Sequence, residues 1–232
     1  MTLTRTYHPS FRSIFPSLFG EGCQSTAGGS DGVRLFILLI FACASLGLSA
    51  ATPSAKSVLD KTSGILTSYP SCTASFTATA TQGSTSGTIT VQGRKFFVKS
   101  PESLVWFDGS TQWMMLTGSK EVNVTTPTAA ELQQMNPYYF LNLYKSGFDL
   151  KMRSEGANYV VTMTSQKKKG LKQMEVTINQ KTHLPSRVVM TSQRGSKTTV
   201  TISNLKKGKK HPDTTFRFDK KEYPKVQVID LR

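Results

Sequence analysis

The chain has 232 residues, a formal net charge of +15 and three cysteines, which are Cys23, Cys43 and Cys72. So few and so widely spaced cysteines exclude a disulfide-stapled scaffold, and the length allows one domain of ordinary size after a leader. The positive charge favours an acidic partner, which is nucleic acid, an anionic membrane surface or an acidic protein.

The N-terminal region has the pattern of an export signal. Arg34 precedes a short apolar run, and small residues follow it up to Ala51. This order predicts a secretory signal peptide that is cleaved after Ala51. Residues 1–51 are therefore predicted to be leader and signal peptide, and 52–232 to be one exported domain. Residues 1–32 lack any pattern and are interpreted as an overcalled start, with the true start near Val33.

Two alternatives to cleavage stay open. The leader could be a retained membrane anchor, or Cys43 could be lipidated because Ile40-Phe41-Ala42-Cys43 is close to a lipobox. Bulky Phe41 and the apolar sequence after Cys43 disfavour lipidation. Since an exported protein rarely meets nucleic acid, we expect no nucleic-acid partner.

The exported part begins with one amphipathic helix and continues with short strands. The helix is predicted over Pro53–Leu66, and Tyr69-Pro70 ends it. Period-two alternation and turn residues then predict strands, joined by short loops that favour antiparallel pairing. The predicted strands are Cys72–Ala80, Gly87–Val91, Phe96–Val98, Leu104–Phe107, Gln112–Leu116, Glu121–Val124, Phe148–Met152, Tyr159–Thr164, Leu171–Asn179, Leu184–Thr191 and Thr198–Leu205, with Asp213–Phe218 as a last strand or corner and Val226–Leu231 closing the chain.

Helical signals return after Pro127. Thr128 and Glu131 have the spacing of a capping box, and residues 138–144 form a short run that is apolar nearly all round. A helix of that kind has to be buried. The whole pattern predicts a mainly β fold with about eleven strands, in which an unclosed antiparallel sheet or barrel wraps around helices. The lysine runs at 167–169 and 206–210 are interpreted as hairpin tips.

No catalytic constellation is present in the sequence. His183 and His211 have no metal-ligand spacing, and the Asp108-Gly109 pair is explained by a tight turn. We therefore predict no enzyme activity, no metal and no cofactor. Large apolar residues are instead concentrated in one third of the domain, where methionine suits an adaptable apolar surface. They predict a lipid-binding cavity, although an ordinary aromatic core explains them about equally well, and the candidate lining residues are Phe76, Ile89, Val91, Phe96, Trp106, Trp113, Met115, Met135, Phe140 and Leu141.

The order of several short motifs resembles the periplasmic outer-membrane lipoprotein carrier family (LolA and its relatives). The hairpin Phe107–Trp113 is similar to the family's Asp-Gly-x-x-x-Trp turn, and the resemblance extends from about residue 55 to the C-terminus as a divergent branch. The other matching segments are Val58–Lys61, Ala74–Thr77, Ser86–Ile89, Glu121-Val122, Asn136–Tyr138, Thr182–Pro185 and Val228–Arg232.

The resemblance implies an unclosed eleven-stranded barrel with a helical lid and a function in lipoprotein transport. Such a monomeric carrier takes lipoproteins by their acyl chains from an inner-membrane ABC-type exporter, through the periplasm, to an outer-membrane receptor. The family ties down its lid with the arginine of an Arg-Pro pair. That position falls at Gly93 here, so Arg94 is the lid-holding candidate, although the proline is absent.

Two other functions remain as alternatives. The same fold could serve an envelope-stress sensor or another lipid-binding protein, and a retained membrane segment would favour the sensor. A structural or adhesive surface protein could bind acidic polymer through its basic tips, and a tightly packed barrel would favour it.

Overall fold

The structure is a computed structural model, and it describes residues 52–128, 143–167 and 170–232. The described part contains one α-helix, twelve strands and one 3-10 helix over Asp213–Phe216. The elements are α1 (Ala55–Ser68), β1 (Ser71–Ala80), β2 (Gly83–Gln92), β3 (Lys95–Lys99), β4 (Ser103–Phe107), β5 (Gln112–Leu116), β6 (Glu121–Thr125), β7 (Phe148–Glu155), β8 (Asn158–Ser165), β9 (Leu171–Asn179), β10 (Pro185–Ser192), β11 (Lys197–Gly208) and β12 (Gln227–Asp230).

Helix α1 is set by a polar cap at its start and a proline just beyond its end. The Ser54 hydroxyl accepts a hydrogen bond from the Ser57 amide at 3.1 Å, which satisfies one of the free amides of the first turn. Tyr69 has an extended backbone because it precedes Pro70. The helix buries Val58 and Leu59, so the prediction of an amphipathic helix is confirmed, with its end two residues later than expected.

All twelve strands form one sheet that does not close. The strand order is β12-β6-β5-β4-β3-β2-β1-β11-β10-β9-β8-β7, so β12 and β7 are its edges. Neighbours pair antiparallel as predicted, except that β12 pairs parallel to β6. The predicted unclosed, mainly β architecture is confirmed, with one strand more than the approximate count of eleven.

Two sequence expectations change, and two others lie outside the described residues. The sequence predicts a strand or a corner over Asp213–Phe218, and the strand is wrong, because Asp213–Phe216 form a 3-10 helix that begins after Pro212, whose backbone is extended. Lys206 and Lys207 are not at a hairpin tip, because they lie inside β11 and pair with Thr73 and Cys72 of β1. The capping box at 128–131 and most of the apolar run 138–144 fall outside the described residues.

The register gives the sheet two distinct faces. Since side chains alternate along a strand, residues paired across strands share a face. The face on which α1 packs is here called the helix face. It carries Val176, Val188 and Val200 in β9–β11 and, further along the sheet, Ile89 in β2 paired with Val98 in β3. The opposite face is here called the C-terminal face, because residues near the C-terminus pack on it. It carries the alternate residues of the strands, among them Phe97, Trp106 and Trp113.

Candidate functional site

The helix face carries one apolar surface in two clusters. The first lies where α1 packs on β7–β11, and its most buried members include Leu59 of the helix and Val161, Val176 and Ile178 of the sheet. These side chains are at most 1% exposed. Val188 and Val200 extend the same row across the sheet.

The second cluster lies on the same face in β2–β4. Phe96 and Phe107 are paired across β3 and β4, and their ring centroids are 5.1 Å apart. Val98 and Val105 form the next pair on that face, and both are buried. The cluster also contains Val91, with Phe76, Ile89 and Met114 packed against it. Apolar side chains therefore follow the helix face from β7 to β5.

The C-terminal face carries a third cluster, which is the more aromatic one. Phe97, Trp106 and Trp113 form a row across β3, β4 and β5. The rings of Phe97 and Trp106 are stacked with centroids 5.4 Å apart. Phe218 and Tyr223 both meet Trp106 edge-on at 5.7 Å. This face is therefore packed by the C-terminal part of the same chain.

The C-terminal segment, residues 209–226, crosses this face from β2 towards β6. It is held first at Gln92, whose amide group donates to the His211 carbonyl at 3.2 Å and accepts from the His211 amide at 2.7 Å. Lys95 then pairs with Asp213 at 2.6 Å. After Val226, which is buried in the third cluster, the chain continues into β12. The segment is thus joined to the sheet along its whole length.

Asp108 fastens the middle of that segment to the β4–β5 hairpin. Its carboxylate accepts hydrogen bonds from the Ser110 and Thr111 amides at 3.0 and 2.9 Å and from the Ser110 hydroxyl at 3.0 Å. Arg217 Nε lies 3.0 Å from its other oxygen. Burial opposes ionisation, but these hydrogen bonds and the Arg217 charge hold the pKa of Asp108 below its usual range. The predicted turn is present, and Gly109 has the positive φ of +105°.

The structure describes seven of the ten candidate lining residues and divides them between the two faces. Phe76, Ile89, Val91 and Phe96 come together on the helix face. Trp106, Trp113 and Met115 lie on the C-terminal face, in the cluster that the C-terminal segment covers. Met135, Phe140 and Leu141 fall outside the described residues.

The helix-face cluster also contains residues that the sequence analysis did not select. Val98, Val105, Phe107 and Met114 share the face of Phe96. Period-two alternation could have found Val98, since it is two residues after Phe96. For β4 no such signal existed, because Val105, Trp106 and Phe107 are all buried and the strand reads as a continuous apolar run.

Arg94 lies exposed in the two-residue turn between β2 and β3, where Gln92 pairs with Lys95. Its side chain forms no ion pair with any residue in the three described ranges. Its lid-holding role stays a prediction.

The titratable groups of the described ranges do not form a metal site, since no three His, Cys, Asp or Glu residues there are grouped to hold an ion. His183 stacks on Tyr159, and its pKa is lowered by burial and by the charge of Lys61. No helix within the described residues is both long and apolar enough to cross a membrane.

The fold places this chain among proteins that are built on an unclosed β-sheet with an apolar face packed on a helix. The same fold occurs in a solved structure of an uncharacterized conserved protein from Thermus thermophilus, with a TM-score of 0.54 and 14% identity, covering 76% of this chain and 98% of that one. The family model described as outer membrane lipoprotein carrier protein LolA matches residues 47–194, which is more than half of the chain. The chain belongs to that family, and the resemblance drawn from its motifs is confirmed.

Two further solved structures are similar at lower scores. A LolA superfamily protein from Nitrosomonas europaea has a TM-score of 0.40 and 12% identity, covering 72% of this chain and 99% of that one. MucB in its complex with MucA from Pseudomonas aeruginosa has a TM-score of 0.43 and 14% identity, covering 75% of this chain and 63% of that one. No curated protein matches the sequence.

Proposed function

We propose that this protein is a periplasmic chaperone that binds the acyl chains of lipoproteins on the helix face and carries them from the inner to the outer membrane. The observation that carries the proposal is the apolar surface that follows one face of an unclosed sheet from β7 to β5. Membership of the lipoprotein carrier family supports the same cargo.

The energetics of the helix face suit acyl chains. Each methylene that moves from water into an apolar environment contributes about 0.8 kcal/mol. Half of one acyl chain therefore supplies a large share of a useful binding free energy. Phe96 and Val105 are already almost fully buried in this structure, so loading requires that this face first be uncovered. Cargo then stabilises the open state because it binds that state better.

The remaining parts of the proposal follow from the carrier role. The signal peptide is cleaved near Ala51, and the protein works in the periplasm as a monomer. It receives cargo from an inner-membrane ABC-type exporter and passes it to an outer-membrane receptor, with no reaction catalysed and no cofactor or nucleic acid bound. Phe76, Ile89, Val91 and Phe96 are the binding residues that we retain.

The test is to isolate the protein from the cell envelope without detergent and to identify what is bound to it by mass spectrometry. We expect lipoproteins attached through their acyl chains, and we expect depletion of the protein to leave lipoproteins in the inner membrane. A protein that carries no acyl cargo, together with normal lipoprotein sorting after depletion, contradicts the carrier function. Recovery bound to a membrane-anchored protein but without acyl cargo would favour the stress-sensor alternative.

A matched pair of variants assigns the binding face. Ile89 packs on the helix-face cluster and Leu104 on the C-terminal-face cluster, and both are partly buried aliphatic side chains of equal size. Ile89→Asn is expected to lower the amount of bound acyl cargo per folded molecule severalfold. Leu104→Asn is expected to lower stability by a similar amount and to leave bound cargo unchanged. Equal cargo loss in both variants would contradict the assignment.

A further inference from the structure

We propose that a basic surface at the end of β11 docks the protein on bilayers that contain anionic phospholipid. The β11 patch consists of Arg94, Lys206, Lys207, Lys209 and Lys210, and all five side chains are exposed. The inference goes beyond cargo binding and depends on the proposed function only in assuming that the protein works beside a membrane.

The fold brings these five residues together from two parts of the chain. Lys206 and Lys207 pair with Thr73 and Cys72 of β1, at the end of the sheet where β2 finishes. The paired hydrogen bonds between Gln92 and His211 then hold the residues after β11 against the β2–β3 turn. Arg94 lies two residues after Gln92, and Lys209 and Lys210 lie just before His211, so the pairing of Gln92 with His211 brings these cations to the same end of the sheet.

Lys206 and Lys207 lie on opposite faces of β11 because side chains alternate along a strand, and a β-bulge before them decides which face each one takes. Thr73 pairs with Lys206, but Ser75 pairs with Ser203, so β11 has an extra residue at this point. Asn204 accommodates the bulge with a positive φ of 51°. After it, Lys206 shares the face of Thr73, whereas Lys207 shares the face of Cys72. The bulge thus exchanges the faces of the two lysines, and alternation leaves one cation on each face at the end of the strand.

The strand is also accessible on its other side. Strand β10 pairs with β11 only between Lys197 and Thr201, so the stretch up to Gly208 has β1 as its partner. Lysines on an unpaired strand edge often prevent aggregation. That role would account for Lys206 and Lys207, but not for Lys209, Lys210 and Arg94, which lie outside the strands.

The patch has little local charge compensation. None of its five residues forms an ion pair with another residue of the described ranges. The nearby carboxylate of Asp213 is bound to Lys95 at 2.6 Å. Lys207 Nζ lies 5.8 Å from the centre of the Tyr69 ring at the end of α1, which leaves its charge unneutralised.

The composition favours a membrane over an acidic protein. Protein interfaces are depleted of lysine and depend on aromatic or arginine anchors at their centre. Four of the five patch residues are lysine, and the large hydrophobic side chains exposed in the described residues, Val228 and Leu231, belong to β12 and the chain end instead. Clustered lysines without apolar anchors are typical of electrostatic attachment to anionic headgroups.

The experiment measures co-sedimentation with vesicles, using the protein as it accumulates in cells, with the same N-terminus verified in every variant. One vesicle type is phosphatidylcholine with phosphatidylglycerol, and the other is phosphatidylcholine alone. The test variant changes Lys206, Lys207, Lys209 and Lys210 to Gln. The control variant changes Lys99, Lys172, Arg194 and Lys197 to Gln, so it removes the same charge from the opposite end of the sheet.

We expect the protein to bind the anionic vesicles and to lose binding at about 1 M salt, where screening acts over roughly 3 Å. The test variant should bind at least about tenfold more weakly, since it loses four cations that attract anionic headgroups. The control variant should keep most of the binding. Should the quadruple variant fold poorly, the double change Lys209→Gln with Lys210→Gln, outside the strand, should still weaken binding.

Three outcomes overturn the proposal: equal binding to both vesicle types, equal loss in the test and control variants, or binding to polyglutamate but to neither vesicle. The last would assign the patch to an acidic protein partner. Acyl-cargo content, measured separately on the same variants, should stay unchanged. A failure of membrane docking is thus distinguishable from a failure of the carrier function.

Discussion

Strands β3 to β5 are apolar on both faces, but the two faces are packed differently. On the C-terminal face, Phe218 and Tyr223 pack on Trp106, and the segment that supplies them is fastened at several points. On the helix face, the partly buried residues packed against the β2–β4 cluster belong to the sheet itself. The most aromatic surface of this protein is therefore packed by its own C-terminal segment. The less aromatic helix face is the one on which we propose that acyl cargo binds.

The largest expected effect comes from removing the centre of the C-terminal face. Trp106 is 5% exposed and touches three aromatic rings, so Trp106→Ala leaves a cavity that the fastened segment cannot fill. We expect the free energy of unfolding to fall by about 3–5 kcal/mol. Urea unfolding followed by circular dichroism measures it. Bound acyl cargo per folded molecule should not change.

Trp113 provides a second test of the difference between the two faces of the sheet. The sequence alone predicts that Trp113→Asp weakens cargo retention more than folding. The register places Trp113 in the row of Phe97 and Trp106, and the expectation is now the reverse. A loss of cargo that exceeds the loss of folded protein would restore Trp113 to the binding site.

The second-largest expected effect concerns the contact of Asp108 with Arg217, which holds the C-terminal segment on the β4–β5 hairpin. The side chain of Asp108 is only 8% exposed and accepts three hydrogen bonds besides the ion pair with Arg217. Asp108→Ala should lower the free energy of unfolding by about 2–3 kcal/mol, because hydrogen bonds to a charged group are lost. Arg217 is 60% exposed, and Arg217→Ala should cost about 1 kcal/mol or less.

The pH dependence of stability tests the same contact. The folded-state pKa of Asp108 is lowered, so this group contributes stability above its unfolded pKa of about 3.9. That contribution is lost as the pH falls through the folded pKa. As the pH falls below about 4, stability should fall less steeply in Asp108→Ala than in the unchanged protein. Parallel pH profiles would contradict this role of Asp108.

The third-largest expected effect tests how closely β2 and β3 approach each other at Gly87. A Cβ on Gly87 would lie 2.2 Å from the Lys99 carbonyl oxygen and 3.1 Å from the ring of Phe76. Because the first of these is a backbone atom, the strands have to separate, and Gly87→Ala should destabilise by about 1–3 kcal/mol. Thermal unfolding measures the change.

Gly64 provides the control for that substitution. It lies in the interior of α1, and an added Cβ there meets no atom within 4 Å. Gly64→Ala should therefore stabilise the protein by up to about 1 kcal/mol through helix propensity. Equal effects of the two substitutions would show that Gly87 is not sterically required.

Much of the sheet could be predicted from the sequence because its strands are short and separated by strong turn signals. The Asp108-Gly109 turn and the capped helix before Tyr69-Pro70 are local features, and local chemistry specifies them. The parallel pairing of β12 with β6 is not local, since it depends on where the C-terminal segment travels. No periodicity in Gln227–Asp230 contains that information.

For a related reason, the sequence could not predict which candidate lining residues lie on which face of the sheet. Alternation separates Phe96 from Phe97, but it does not say which of them faces a helix and which faces the chain's own C-terminus. In β4 the three consecutive residues Val105, Trp106 and Phe107 are all buried, which removes even the alternation. The tertiary contacts of Phe218 and Tyr223 determine which face the C-terminus covers.

The smallest expected effect lies on the helix face, where Tyr144 is tied to α1. Its hydroxyl donates to Asp60 Oδ1 at 2.5 Å, and the ring is packed in the cluster around Leu59. Burial and this hydrogen bond to Asp60 raise the pKa of Tyr144, so the phenol keeps its proton and remains a donor. Tyr144→Phe should lower the free energy of unfolding by about 1 kcal/mol, because the ring stays packed and one hydrogen bond is lost. Asp60→Asn is the matched control, since its amide oxygen still accepts.

If only the C-terminal face stays packed while cargo is loaded, Tyr144→Phe should also load acyl cargo faster, which stopped-flow binding of a fluorescent fatty acid measures. An unchanged loading rate would mean that this contact does not limit access to the helix face.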